Sequence, residues 1–232
     1  MKNKLLLPVI LMFTGISGLF AQADVQEDIA MIKQNLAISK ASLKNYEWLE
    51  TTTTFLKGEQ KSVKQNQCYY SVDGKLTKVP TGATTASAKK KGGLRGKIAE
   101  NKKEEMADYI KAAIEKVHTY LPPDAAKLQQ KYAAGKTTIG VLEPGKKFKL
   151  NFPDYNVKGD LLSISINKTS QKLTVLDVST YVDKPGEKVV FNVTYSNLPD
   201  GTQYAGSTTL DAQAKDLKIV IVNSGYKKGA GK

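Results

Sequence analysis

From Thr137 onward the chain repeats one pattern, a run alternating apolar and polar residues followed by a short turn. "KFKLNF" puts Phe148, Leu150 and Phe152 on one side, and "LLSISIN" does the same with Leu162, Ile164 and Ile166. "KTSQ" then turns into "KLTVLDVSTYV", "DKPGEK" into "VVFNVTYS", and "LPDGT" into "QYAGSTTLDA". Alternation of period two with turns at regular spacing predicts a meander of about five or six antiparallel strands. The last run, "DLKIVIVN", is apolar on both faces, which suits a central strand or one covered by a helix.

The first half supplies the cover. Val25, Ile29, Ile32, Leu36 and Leu43 form one stripe of an amphipathic helix over residues 25–44. Aromatic and β-branched residues from Tyr46 to Phe55 then favour a strand, with Tyr46, Trp48, Glu50, Thr52 and Thr54 on one face and Gly58 at its end. Asp73-Gly74 between the runs 62–72 and 75–79 predicts a hairpin turn in which both residues accept positive φ. Asn101 and Glu104 have capping-box spacing for a helix carrying Met106, Ile110, Ala113 and Val117 on one face. Pro122-Pro123 breaks it, and a shorter helix over 124–134 ends at Gly135. A hairpin alone buries no core, so strands, helix pair and more strands imply one α+β domain.

The N-terminus is "MKNKLLLPVILMFTGISGLFAQA": Lys2 and Lys4, an apolar stretch from Leu5 to Phe20, then Ala-Gln-Ala. This predicts a cleaved secretory signal over 1–23, with an uncleaved anchor as the alternative. The expected division is signal peptide 1–23, one domain over 24–226 with a flexible basic loop at 81–97, and a disordered tail at 227–232. The expected location is periplasmic or extracellular. No later apolar run is long enough to cross a bilayer as a helix.

The formal net charge is +13, and Arg95 is the single arginine among 35 cations. Bidentate reading of bases and phosphates favours arginine, so a lysine-based charge argues against nucleic-acid recognition. It suits solubility or loose attraction to an anionic surface. Lys89, Lys90, Lys91, Arg95 and Lys97 crowd the expected loop and are the candidate contacts to an anionic membrane surface. "GGLRGK" is not a phosphate-binding loop: Ile98 follows the lysine and no apolar strand precedes it. His118 and Cys68 are the only His and Cys, too few for a triad or a zinc site of nitrogen and sulfur ligands. Cys68 reads as a small buried hydrophobe, with redox pairing as the alternative. Asp154 and Asp160 read as solvated turn residues. No catalytic constellation, metal site or cofactor motif is recognisable, and the expectation is a protein that is not an enzyme.

The aromatic residues concentrate in expected strands. They form either core and cross-strand pairs or the inner wall of a curved sheet that holds an apolar ligand. On the second reading the wall comprises Tyr46, Trp48, Tyr69, Tyr181, Phe191, Val193 and Tyr195. The sequence of elements (signal, long amphipathic helix, the strand start "YEW" at 46–48, hairpin, helix pair, meander) resembles the periplasmic lipoprotein-carrier superfamily, the LolA-like and LolB-like proteins. The resemblance implies a curved, half-barrel-like antiparallel sheet lidded by helices, with a hydrophobic cavity able to take acyl chains. It carries over no residue role, because the only arginine lies in the polar loop rather than in a strand. The expected function is an exported, non-catalytic protein binding a lipid or other apolar ligand. The alternative is a structural or protein-interaction module of the cell envelope.

Overall fold

The computed structural model describes residues 17–82 and 94–229, with 17–24, 94–100, 102 and 103 described in backbone only. Most of the expected signal peptide and Lys89, Lys90 and Lys91 of the basic loop lie outside the described residues.

From residue 138 onward the chain forms seven strands: β4 (Thr138–Glu143), β5 (Lys147–Pro153), β6 (Leu161–Asn167), β7 (Lys172–Tyr181), β8 (Lys188–Asn197), β9 (Gln203–Ala212) and β10 (Leu217–Lys228). Three more precede the helix pair: β1 (Tyr46–Leu56), β2 (Glu59–Tyr70) and β3 (Leu76–Pro80). All ten join one open, curved antiparallel sheet in the order β3-β2-β1-β10-β9-β8-β7-β6-β5-β4. The strand apolar on both faces is interior, because β10 pairs with β1 on one side and β9 on the other. The strand missing from the expected meander is β4, whose Ile139, Val141 and Leu142 are exposed and give no one-sided alternation to read.

Three helices complete the fold: α1 (Ser17–Leu43), α2 (Leu94–His118) and α3 (Ala125–Ala133). Helix α1 lies against β7, β9 and α3, and buries Ile29 and Ile32 from the expected stripe. The cleavage point after Ala23 falls within this helix. Asp124 caps α3, accepting from the backbone N–H of Ala126 (2.9 Å) and Lys127 (3.2 Å). Gly135 closes it in the left-handed conformation.

Four boundaries differ from expectation. Helix α2 begins at Leu94, before the capping-box asparagine, so it takes in Arg95 and Lys97 at the end of the expected loop. The start of the expected tail is strand, since Lys227 and Lys228 pair with Glu47 and Tyr46. The tight turn with two positive φ values is Lys57-Gly58, joining β1 to β2. At Asp73-Gly74 only the glycine has positive φ. There the Asp73 carboxylate accepts from the Ser71 hydroxyl (2.5 Å) and the Lys75 N–H (3.2 Å), which organises a wider loop.

Register explains where the core sits. Partners across an antiparallel sheet share a face. One row therefore reads Phe152, Leu162, Val178, Phe191, Leu210, Ile219, Thr54 and Ser62 from β5 to β2. The next reads Leu150, Ile164, Leu176, Val193, Thr208, Ile221, Thr52 and Lys64. Each row is apolar across β5–β8, where the core lies, and polar at β1 and β2.

Candidate functional site

The helices do not seal perfectly against the apolar face. Between α1, α3 and strands β6 and β7 lies a cavity of about 280 Å³. Ile164, Ile166 and Leu173 of the sheet form its floor. Ile29, Ile32 and Leu36 of α1 form one wall, and Leu128 and Ala125 of α3, with Pro122 and Pro123, form the other. The helix break at the two prolines turns the chain so that α3 stands beside α1 instead of prolonging α2. Lys33, Ala37 and Lys40, on the outer flank of α1, complete the lining. No carboxylate lines it among the described residues.

A second, smaller cavity of about 180 Å³ lies between α2 and strands β8–β10. Ile114, Val117, His118 and Leu121 face Phe191, Thr208, Leu210, Ile219 and Ile221 across it. Both spaces are apolar and neither brings acids, bases or nucleophiles together. Among the described residues there is no group of three or more metal-ligating side chains.

One buried polar cluster fixes the helix pair to the sheet. Asp160 is 3 % exposed, contrary to the solvated turn expected for it. One of its carboxylate oxygens accepts from the Tyr120 hydroxyl (2.5 Å) and from the backbone N–H of Asn156 and Val157 (2.9 Å each). The Tyr120 hydroxyl also lies 2.9 Å from the Thr180 hydroxyl of β7. Burial, then the bond to Asp160, holds the Tyr120 phenol well above its ordinary pKa. The cluster is a strut between the end of α2 and the sheet; its members line neither cavity.

Of the seven aromatic and apolar residues expected to line a wall, Phe191 lines the second cavity. Val193 is buried in the same core, and Tyr195 packs partly buried against it. Loss of hydration pushes the Tyr195 phenol up to about 12. Tyr181 stands at the end of β7, donating to the Lys158 carbonyl (3.1 Å) beneath the ammonium of Lys116 (5.7 Å from the ring centre). Tyr46 and Trp48 lie elsewhere, in an aromatic cluster on β1, β2, β9 and β10. There the Tyr226 ring stacks on Trp48 (5.4 Å, 13°), Tyr70 leans on Trp48, and Tyr204 on Tyr226. The Trp48 indole donates to Asn223 Oδ1 (3.1 Å), and Glu50 pairs with Lys78 at 2.7 Å. Tyr69 sits on the opposite face of β2 from Cys68, Trp48's partner. Cys68 is fully buried, and burial pushes its thiol up, as expected of a small hydrophobe.

The first cavity was half visible in sequence: the stripe of α1 and the strand face of β6 were both legible. What brings them together is α3, and its placement follows from the proline turn and the Tyr120 strut.

No family model matches this chain, and no curated protein matches it. Solved structures similar in chain path include the following two. One is a DUF1329 family protein from Desulfovibrio piger, 8 % identical with a TM-score of 0.41, covering 90 % of this chain and 95 % of that one. The other is a LolA superfamily protein from Nitrosomonas europaea, 8 % identical with a TM-score of 0.38, covering 87 % of this chain and 94 % of that one. This chain itself folds as one open antiparallel sheet with helices packed against its apolar face. Neither likeness assigns a ligand or a residue role. Among the described residues no helix is long and apolar enough to cross a membrane.

Proposed function

We propose that this chain is an exported, non-catalytic binding protein that holds an apolar ligand between sheet and helices. One observation carries the reading: the aliphatic cavity of about 280 Å³ under α1 and α3. Its volume approaches the lower limit of small-molecule pockets, which begin near roughly 300 Å³. Native mass spectrometry after gentle purification tests it. The expected result is a co-purifying lipid or, from lipid-free protein, uptake of a fluorescent fatty acid. Absence of both would sink the reading.

Delivery near a membrane would use the basic segment, Lys89, Lys90, Lys91, Arg95 and Lys97. Replacing the four lysines with glutamine should weaken binding to anionic liposomes at low salt, where charge attraction is least screened. Unchanged binding would make the segment a linker.

A second reading, a protein-interaction module of the envelope, draws on the sheet's edges. Edge strand β3 ends in Pro80 and carries Lys78, features that discourage strand pairing. The other edge, β4, exposes Ile139 and Val141 with no charge between Thr138 and Leu142. A stoichiometric partner recovered from envelope extract, and lost with Val141→Lys, would favour it.

A further inference from the structure

The shape and charge of the cavity under α1 and α3 narrow what it would take, and this step rests on the apolar-ligand reading above. The space is about 280 Å³. Water occupies about 30 Å³ in the liquid and a methylene is of similar size, so roughly nine or ten carbons fit. That is one alkyl chain of medium length; a lipid with two long chains exceeds it.

The mouth is not neutral. Lys33 and Lys40 are the only charged residues of the lining among the described residues, and both are exposed. They are seven positions apart on α1, about two turns or about 10.5 Å along the axis. Leu36 and Ala37 lie between them on the same lining. Neither lysine has an ion-pair partner among the described residues, whereas Lys78, Lys146, Lys147 and Lys149 each have one. Two acids adjoin the lining in sequence: Asp124, whose carboxylate is committed to the N–H groups of Ala126 and Lys127, and Asp28, beside Ile29 on α1, which is itself engaged. An apolar slot thus opens between two cations with no competing anion in its wall. A cationic head would be repelled there, and a neutral head would leave the lysines' charge unused.

We propose that this cavity holds a single-chain amphiphile of about ten carbons with an anionic head, the chain lying over Ile164, Ile166 and Leu173 and the head between Lys33 and Lys40. Isothermal titration of the purified protein with decanoate, 1-decanol and decyltrimethylammonium tests the head at constant chain. Decanoate should bind about tenfold more tightly than decanol, and the cationic probe should bind least. The double variant Lys33→Gln/Lys40→Gln should reduce decanoate to the level of decanol while leaving decanol unchanged. Both substituted residues are exposed, so the fold is not at stake. Ala37→Trp, also exposed, should fill the mouth and abolish binding of all three probes, which places the site.

Chain length tests the slot. Each added methylene should tighten binding about fourfold, up to about ten carbons, with little gain from dodecanoate or hexadecanoate. A gain continuing through hexadecanoate would overturn the single-slot assignment. Equal binding of decanoate and decanol by both proteins would overturn the anionic head and leave the apolar-ligand reading standing. Failure of every probe would overturn both.

Discussion

The two halves of this sheet are made of the same backbone ladder and treat their inner face differently. Across β5–β8 that face carries Phe152, Leu162, Val178 and Phe191 in one continuous row, under α1, α2 and α3. At β1 and β2 the same row ends in Thr54 and Ser62, and among the described residues α1 touches β1 less than it touches β9. Hydrogen bonding alone does not require a cover; apolar side chains do. The helices therefore mark where the sequence stops alternating with large apolar residues. The open half keeps only a local core, the aromatic cluster around Trp48, at one end of its strands.

The largest test of that contrast uses two positions in one row. Phe152 is fully buried, and Phe152→Ala should cost about 3–5 kcal/mol through lost burial and a cavity. Thr54, at the other end, is half-buried, and Thr54→Ala should change stability by about 0.5 kcal/mol or less. Urea unfolding monitored by circular dichroism measures both. Similar costs at the two sites would mean that the halves are not energetically distinct.

A smaller effect probes how the cover is fastened. In Tyr120→Phe the buried Asp160 carboxylate loses one of three donors and Thr180 loses a partner. The expected destabilisation is about 1–3 kcal/mol. Faster amide exchange in α3 and in residues 155–160 than in β1 and β2 would locate the loss at the helix–sheet joint. A uniform change would detach the strut from the cover.

The contrast between halves also decides what could be read before the structure was known. Strands β5 to β8 were legible because large apolar residues recur at every second position, β10 because it is apolar on both faces, and α1 because Ile29, Ile32 and Leu36 recur at helical spacing. Strand β4 was not, because an edge strand exposed on both faces has no periodic demand on its side chains. Asp160 looked like a solvated turn residue because the side chain that covers it, Tyr120, is 40 positions away in sequence. The aromatic residues were grouped by chemistry, yet Tyr46 and Trp48 belong to the open half and Phe191 and Val193 to the covered one. Register separated them, and register depends on strand order: β1 sits beside β10 rather than beside the rest of the meander.

Titration distinguishes the halves again, from the alkaline side first. Tyr195, packed against the covered core, ionises near 12 in the native protein, against about 10 in an unfolded chain. Above pH 10 the unfolded state therefore releases its proton first, and stability falls from pH 10 to about 12. Tyr195→Phe removes that contribution, worth up to about 1.4 kcal/mol for each pH unit separating the two states. The variant's alkaline unfolding midpoint should rise relative to its own stability at pH 7. An unchanged midpoint would show that the hydroxyl is hydrated.

The smallest effect lies at the rim of the open half, where Asp200 accepts from the Tyr46 hydroxyl (2.5 Å) and from the Thr202 N–H (3.0 Å). These bonds, Tyr46's foremost, hold the carboxyl down to about 2. Its ordinary value in an unfolded chain is about 3.9. The folded carboxylate is the favoured form, so its contribution is complete above pH 4 and disappears as pH falls toward 2. Asp200 is exposed, and solvent screening keeps the effect on stability slight. The titration itself is the sharper readout: in Tyr46→Phe the Asp200 carboxyl carbon, followed by NMR, should titrate closer to the ordinary range. The Thr202 bond remains in the variant, so the shift should be partial. An unmoved midpoint would assign the depression to Thr202 alone, leaving Tyr46 held by its ring contact with Tyr226. The aromatic cluster would then be anchored at this end by packing, as the covered half is, and the difference between the halves would reduce to the presence of the helices.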